Sequence, residues 1–294
     1  QFFIVLILLF FSFYFMFKIN LNHISFDIIQ KNSGHLLSSQ YIPNYTAGLT
    51  FFIAVAATNL FHQGNWQRIF AAKNNEVLKK SLIFSFFTII PIVFFMGLVG
   101  IFAISIDNEI NPDLAFFSII LKDNTEFLSV IIIILAISLT ISTVDTLVNA
   151  ISSLVVVDGK KIYSKINQKN YFQFSKIFVV ILSFISFIIA SKGFSILYLF
   201  LLADLLCCAA AFTVFYGFYK KIMEKNAIVS ILLGLFLGLL IFPSPDFSKS
   251  ILIGVLLPFD LFPQIVSSSL LFWSFLLATV SPAIAIMSYD SIKR

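Results

Sequence analysis

The chain has 294 residues, 60% of them hydrophobic and only 11% charged, with a mean hydropathy of +1.01. No single water-soluble core of this size hides so much apolar surface, so a soluble globular domain is excluded and a membrane protein is expected. The net charge of +5 does not point to nucleic acid, because the excess sits in a few loops, where it reads as an orientation signal.

A helix needs about 20 apolar residues to cross the hydrocarbon layer, and the chain offers many such runs between short polar loops. The alternating ten-residue segments of a transmembrane barrel are absent. The fold class expected is therefore an all-α integral membrane protein, a multi-pass helical bundle forming a single transmembrane domain over 1–294. Eight spans are expected, at about 2–18, 46–64, 80–106, 126–157, 173–191, 194–217, 226–243 and 265–288.

Gln1 leads straight into the first apolar run with no Met, basic leader or small-residue cleavage site, so the chain reads as a fragment whose beginning is missing. The stretch 19–45 is polar enough for the outer surface, with room for a short helix near Phe26 to Gln30. Asn44-Tyr45-Thr46 has the glycosylation pattern, but it abuts the second span and such triplets are common by chance. After the second span come Arg68, Lys73, Lys79 and Lys80 against Glu76. Lys160, Lys161, Lys165 and Lys169 against Asp158 follow the fourth, and Lys220, Lys221 and Lys225 against Glu224 follow the sixth. The loop after the third span instead carries Asp107, Glu109, Asp113, Asp123 and Glu126 against Lys122. Basic loops stay in the cytoplasm, so eight spans in the cell membrane, with both ends of the chain cytoplasmic, satisfy every loop at once.

Cys207 and Cys208 are neighbours within an apolar span, where adjacent residues point apart, so packing is expected rather than a disulfide or a metal site. Pro243, Pro245, Pro258 and Pro263 break any long helix between 243 and 264, where surface or re-entrant structure is expected.

On the fourth span, Ser138, Ser142, Asp145, Asn149 and Ser152 recur at spacings of four, three, four and three, which is one helix face, and Thr146 and Ser153 widen it. A lone carboxylate facing lipid costs at least ~2.5–3.5 kcal/mol, so Asp145 must face a partner, a cavity or the end of the span. Two readings stand: hydroxyls and one acid joining neighbouring helices, or an ion site, since a hard cation wants oxygen ligands. On the second span, Asn59, His62 and Gln63 are spaced to share one face, as a cavity lining or as residues of the inner interface. Asp204, in the middle of the sixth span, is a functional candidate with a hydroxyl-bonded structural acid as the alternative.

The stretch LTISTVDTLVNAISSLVVVD resembles the ion-binding segment of the sodium:solute symporter family. NLFHQGNWQRIFAAKNNEVLKKS, residues 59 to 81, is similar to that family's span followed by an inside Gln-Arg-x-x-x-Ala-Lys loop, and LYLFLLADLLCCAAAF looks like its later core helix. The resemblance implies a five-plus-five inverted-repeat transporter fold in which spans two to six form the second repeat and the first repeat is mostly missing. It implies Na+ as coupling ion, held by Ser142 and Thr143 with the Leu139 carbonyl, and a second sodium near Asp145 and Thr146. Such transporters place a discontinuous helix at the site, and the second span has suitable ingredients in Thr58, Asn59, His62, Gln63 and Gly64.

The function expected is sodium-coupled symport of a small polar organic solute, with Asn59, His62, Gln63 and Asp204 as substrate-site candidates. Proton coupling through Asp145 or Asp204 stays open. A non-transporting sensor or scaffold on the same fold, or an ion channel, are the alternatives. The partners expected are the solute, the lipid bilayer and the missing N-terminal helices of the same protein, with no nucleic acid. No hydrolytic or redox constellation appears, so an enzyme is not expected.

Overall fold

The computed structural model describes residues 3–7, 10, 14, 31, 38–106, 111–121, 125–162, 168–250, 252–253 and 264–292. They form α1 (Ile42–Phe61), α2 (Gln63–Phe70), α3 (Asn75–Ile106), a 3-10 turn (Pro112–Leu114) and α4 (Ala115–Leu121). Then follow α5 (Glu126–Ser153), a π-helical turn (Leu154–Asp158), α6 (Gly159–Ile162), α7 (Gln168–Ala190), α8 (Ile196–Tyr219), α9 (Glu224–Ile241), α10 (Gln264–Ser267) and α11 (Leu270–Ile292). Among the described residues there is no strand, only an extended bridge between Pro243 and Ser250.

Among the described residues six helices are long and apolar enough to cross a membrane: Asn75–Ala103, Glu126–Asp158, Asn170–Ala190, Ile196–Tyr219, Glu224–Ile241 and Leu270–Tyr289. The chain is thus a multi-pass helical membrane protein, and these six answer to the third to eighth expected spans. The second span begins four residues earlier than expected and has the length of a crossing, but Asn44, Thr46, Thr50, Thr58 and Asn59 dilute its apolarity and it is not among the six. Residues 3–7, 10 and 14 of the first span are helical. The rest of that span lies outside the described residues, as do 19–30 and 32–37 with the helix expected near Phe26 to Gln30, and Asp107, Glu109, Asp123, Pro258 and Pro263.

Local chemistry sets the helix ends. The Asn74 side chain accepts the Val77 N–H at 2.8 Å, capping α3. Pro43 stands in the first turn of α1, where its missing N–H is harmless. Pro91 and Pro282 lie inside helices, a placement membrane bundles tolerate because neighbouring groups re-satisfy the freed carbonyls.

Two compact units divide the chain, one from Gln1–Leu37 and Gln63–Ser191, the other from Ser38–His62 and Lys192–Arg294. In the second unit α8 is the central helix: 44% of its most apolar stretch is buried, against 17% for α9 and 33% for α11. Leu201, Leu205 and Cys208 of α8 form a core with Ala54 and Ala57 of α1 and with Phe275 and Ala278 of α11. Thr46 and Leu197 line one cavity at one end of this pair, and the Phe61 and Phe215 rings meet edge-on at 6.4 Å at the other. Helices α1 and α8 therefore run the same way, as an alternating topology demands of the second and sixth spans.

The closest helix pair of this unit is α9 with α11. Ser230, Gly234 and Gly238 are buried at four-residue intervals on α9, and their row meets Ser274, Ala278 and Pro282 of α11. A Cβ on Gly234 would lie 2.2 Å from Pro282 Cγ and 2.9 Å from the Ala278 carbonyl oxygen, so only glycine fits. The buried Ser274 hydroxyl donates to the Gly238 carbonyl at 2.7 Å. Such small-residue seams let membrane helices approach until backbone meets backbone. Between these helices the chain turns through 243–250, where the Ser248 hydroxyl donates to Asp246 at 2.6 Å and that of Ser244 to its other oxygen. Together they push the Asp246 carboxyl down to about 2. Phe247 takes a left-handed φ of 58° and packs its ring against Tyr198, centroids 6.0 Å apart.

In the first unit, Val99 and Ala103 of α3 are buried beneath Phe116 of α4, and Ile132 of α5 beneath Phe116, Phe117 and Leu121. Gln67 Nε2 of α2 donates to Ser153 Oγ of α5 at 2.5 Å. Tyr171 of α7 is buried against the backbone of Gly159.

Candidate functional site

The second span does not run through as one helix. After Phe61, His62 takes an extended backbone, φ −72° and ψ 103°, and α2 restarts at Gln63. The last carbonyls of α1 lose their intrahelical donors at such an end. The break also ends the face that Asn59 and Gln63 would share on a continuous helix, because the two residues now belong to different helices. His62 Nδ1 is buried at the break and has no hydrogen-bond partner among the described residues.

One turn before the break, the Thr58 hydroxyl donates a short hydrogen bond to Asp204 Oδ1 of α8. Asp204 is only 8% exposed, and a buried acid in an apolar bundle stands only where a donor meets it. Beside this pair the Cys208 thiol donates to the Ile53 carbonyl at 3.7 Å, closing the contact between α1 and α8. Asn59, next in sequence to Thr58, is exposed and donates to the Val55 carbonyl at 2.8 Å. Of the residues singled out on the second and sixth spans, the structure thus joins Asp204 to Thr58, whose partnership the sequence did not show. The one available signal was that a mid-span acid needs a hydroxyl or amide from a neighbouring helix.

On α5 the polar stripe is present as a stripe. Thr143 Oγ1 donates to the Leu139 carbonyl and Thr146 Oγ1 to the Ser142 carbonyl, each at 3.0 Å, while Ser138 bonds Ile134 at 2.8 Å. These are the back-bonds that hydroxyls adopt within helices. Each ties up the hydroxyl proton and leaves oxygen lone pairs outward. Thr143 and Asp145 are exposed on the unit, and Ser142, Thr146 and Leu139 are half-buried. The oxygen-only donor set of Ser142, Asp145 and Thr146 suits a hard cation but comes from one helix and covers one side of an ion. The Leu139 carbonyl already accepts a hydroxyl, so its use as a ligand requires Thr143 to turn away. Among the described residues no cluster of three His, Cys, Asp or Glu side chains forms a metal site.

At the opposite end of the second unit from Phe61, a cavity of about 370 Å³ is lined by Thr46, Thr50, Leu201, Phe247 and Ser269. Thr46 Oγ1 lies 3.4 Å from Ser269 Oγ, and Thr50 Oγ1 donates to the Thr46 carbonyl at 2.7 Å. Neither Asp204 nor Asn59 lines it. Comparison with protein-family models, with curated proteins and with solved structures returns no match.

Proposed function

We propose that the chain is part of a secondary active transporter that moves a small polar organic solute into the cell with sodium, on an inverted-repeat fold of the sodium:solute symporter kind. The observation that carries this reading is the interruption of the second span at His62, one turn from the buried Thr58–Asp204 pair. A helix that ends inside a span frees backbone groups that a partner, water, an ion or a substrate must satisfy, and transporters build their sites at helix breaks. In this reading the α1 end and Asp204 face the solute. The outward oxygens of Ser142, Thr143, Asp145 and Thr146 on α5 serve the sodium, and the basic loops lie in the cytoplasm of a cell-membrane protein. Sodium supplies the driving force when bound, and it shifts the equilibrium between states only by its differential affinity for them.

The test is uptake by the complete protein in liposomes, with radiolabelled neutral and zwitterionic solutes offered under an inward sodium gradient. Uptake that needs sodium, with a higher half-saturating sodium concentration in Ser142→Ala and Thr143→Ala, is the expected result. Uptake unchanged when N-methylglucamine replaces sodium removes the coupling. Solute-independent currents favour a channel instead.

A further inference from the structure

Helix α2 has eight residues and is joined to α3 by Ala71 to Asn74 alone. Its place in the first unit is fixed from two sides. Gly64 is buried, and Gln67 donates to Ser153 at the end of α5, close to where the span Glu126–Asp158 runs out. The Ala71 N–H donates to the Gln67 carbonyl at 3.0 Å and that of Ala72 to the Ile69 carbonyl at 3.2 Å. The chain thus passes through a bonded turn to the Asn74 cap, where the span Asn75–Ala103 begins. Helix α2 is held at the level where one span enters the bilayer and the following one leaves it.

The rest of its surface is divided in character. At about 100° per residue, Trp66 and Ile69 point away from the side of Gly64 and Gln67, with Phe70 at one edge of that outer face and Arg68 at the other. The Trp66 and Phe70 rings lie 6.3 Å apart, and Phe70 is 82% exposed. Helices with Trp and Phe on one face and basic residues beside it bury the aromatic face at the boundary between headgroups and acyl chains.

Charge then selects the lipid. Residues 63–80 hold four cations, Arg68, Lys73, Lys79 and Lys80, against the one acid Glu76, a net +3. Lys80 Nζ takes Glu76 at 2.7 Å. Arg68, Lys73 and Lys79 are exposed and have no ion pair among the described residues.

We propose that α2 lies in the headgroup layer of the bilayer, with Trp66, Ile69 and Phe70 towards the acyl chains, and that Arg68, Lys73 and Lys79 gather anionic phospholipids around it. A zwitterionic lipid would cover the aromatic face but leave the three cations uncompensated. Nucleic acid would meet the cations but leave Phe70 in water. Basic residues beside a membrane helix attract anionic lipid by about 1 kcal/mol each.

Tryptophan quenching by brominated acyl chains tests this in the full chain, reconstituted in vesicles of equal phosphatidylglycerol and phosphatidylcholine. Trp273→Phe leaves Trp66 as the one tryptophan. Quenching should be stronger when phosphatidylglycerol carries the bromine than when phosphatidylcholine does. Arg68→Gln, Lys73→Gln and Lys79→Gln should each lower the relative association constant by up to about five-fold, the ratio corresponding to about 1 kcal/mol, and the triple change should remove the preference. Salt at about 1 M, where the Debye length shrinks to about 3 Å, should do the same. Absence of quenching by either lipid puts α2 outside the bilayer and overturns the proposal. Equal quenching by the two lipids, or a preference that survives the triple change, overturns it as well. If Trp273→Phe does not fold, the difference between the unaltered chain and Trp66→Phe supplies the same signal.

Discussion

Replacing Gly234 by alanine adds one methyl group where α9 and α11 leave no room. The new Cβ would sit 2.2 Å from Pro282 Cγ, 2.8 Å from its Cδ and 2.9 Å from the Ala278 carbonyl oxygen. A proline ring cannot swing aside as a long side chain does, and the carbonyl belongs to the facing helix, so the helices must separate. Overpacking of this kind costs about 1–3 kcal/mol. Against it stands the helix propensity that alanine gains over glycine, up to about 1 kcal/mol. The net expectation is a loss of roughly 1–2 kcal/mol for Gly234→Ala, and a larger one for Gly234→Val. Gly97 is the internal control, since nothing lies within 4 Å of its Cβ position, and there alanine keeps only the propensity gain. The assay is unfolding of the purified protein in mixed micelles by added dodecyl sulfate, followed by circular dichroism. A Gly234→Ala variant as stable as Gly97→Ala would refute the packing argument.

Thr58→Ala removes the donor from a buried acid and should destabilise by about 1–3 kcal/mol, with Thr58→Ser restoring most of it; equal melting temperatures of all three proteins would break the link to Asp204. Gln67→Ala strips Ser153 of its donor from α2, and loss of about 1 kcal/mol is expected by the same micelle titration. The Asp246 loop should respond to pH in a defined direction. Its folded carboxyl is depressed from 3.8 to about 2, so the serine contacts are at full strength above 3.8 and are lost as pH falls through about 2. Carboxyl chemical shifts of labelled aspartate should show this, and Ser244→Ala with Ser248→Ala should return the midpoint toward 3.8; an unmoved midpoint counts against the hydroxyls as the cause.

Apolar run length was enough to locate the third to eighth spans, because in lipid every backbone group must bond within its own helix and few alternatives survive. The break at His62 was foreshadowed by the polar cluster from Thr58 to Gly64. Which polar residue meets which was not: Thr58 and Asn59 are adjacent, and a turn of about 100° per residue decides that the first reaches Asp204 and the second does not. The short helix Ala115–Leu121 sits in what reads as an acidic outer loop, since seven residues are too few for a periodic signal. The seam of Ser230, Gly234 and Gly238 was not anticipated, and its mate on α11 contains a proline, which usually argues against close helix packing. The π turn at 154–158 has no composition of its own, for Leu-Val-Val-Val reads as ordinary helix or strand.

The second unit is discontinuous along the chain, and this bears on how the protein is made. Helix α1 leaves the ribosome roughly 130 residues before α8 begins, an interval of about 7 to 27 seconds at usual elongation rates. For that time Thr58 and the other polar groups of α1 wait in or beside the insertion machinery without Ala54 and Ala57 being covered by α8. The helix kept waiting longest is also the crossing-length helix least apolar of the set. Substitutions that make α1 still more polar should therefore first be felt as failed insertion and degradation during synthesis, before any defect in the finished protein.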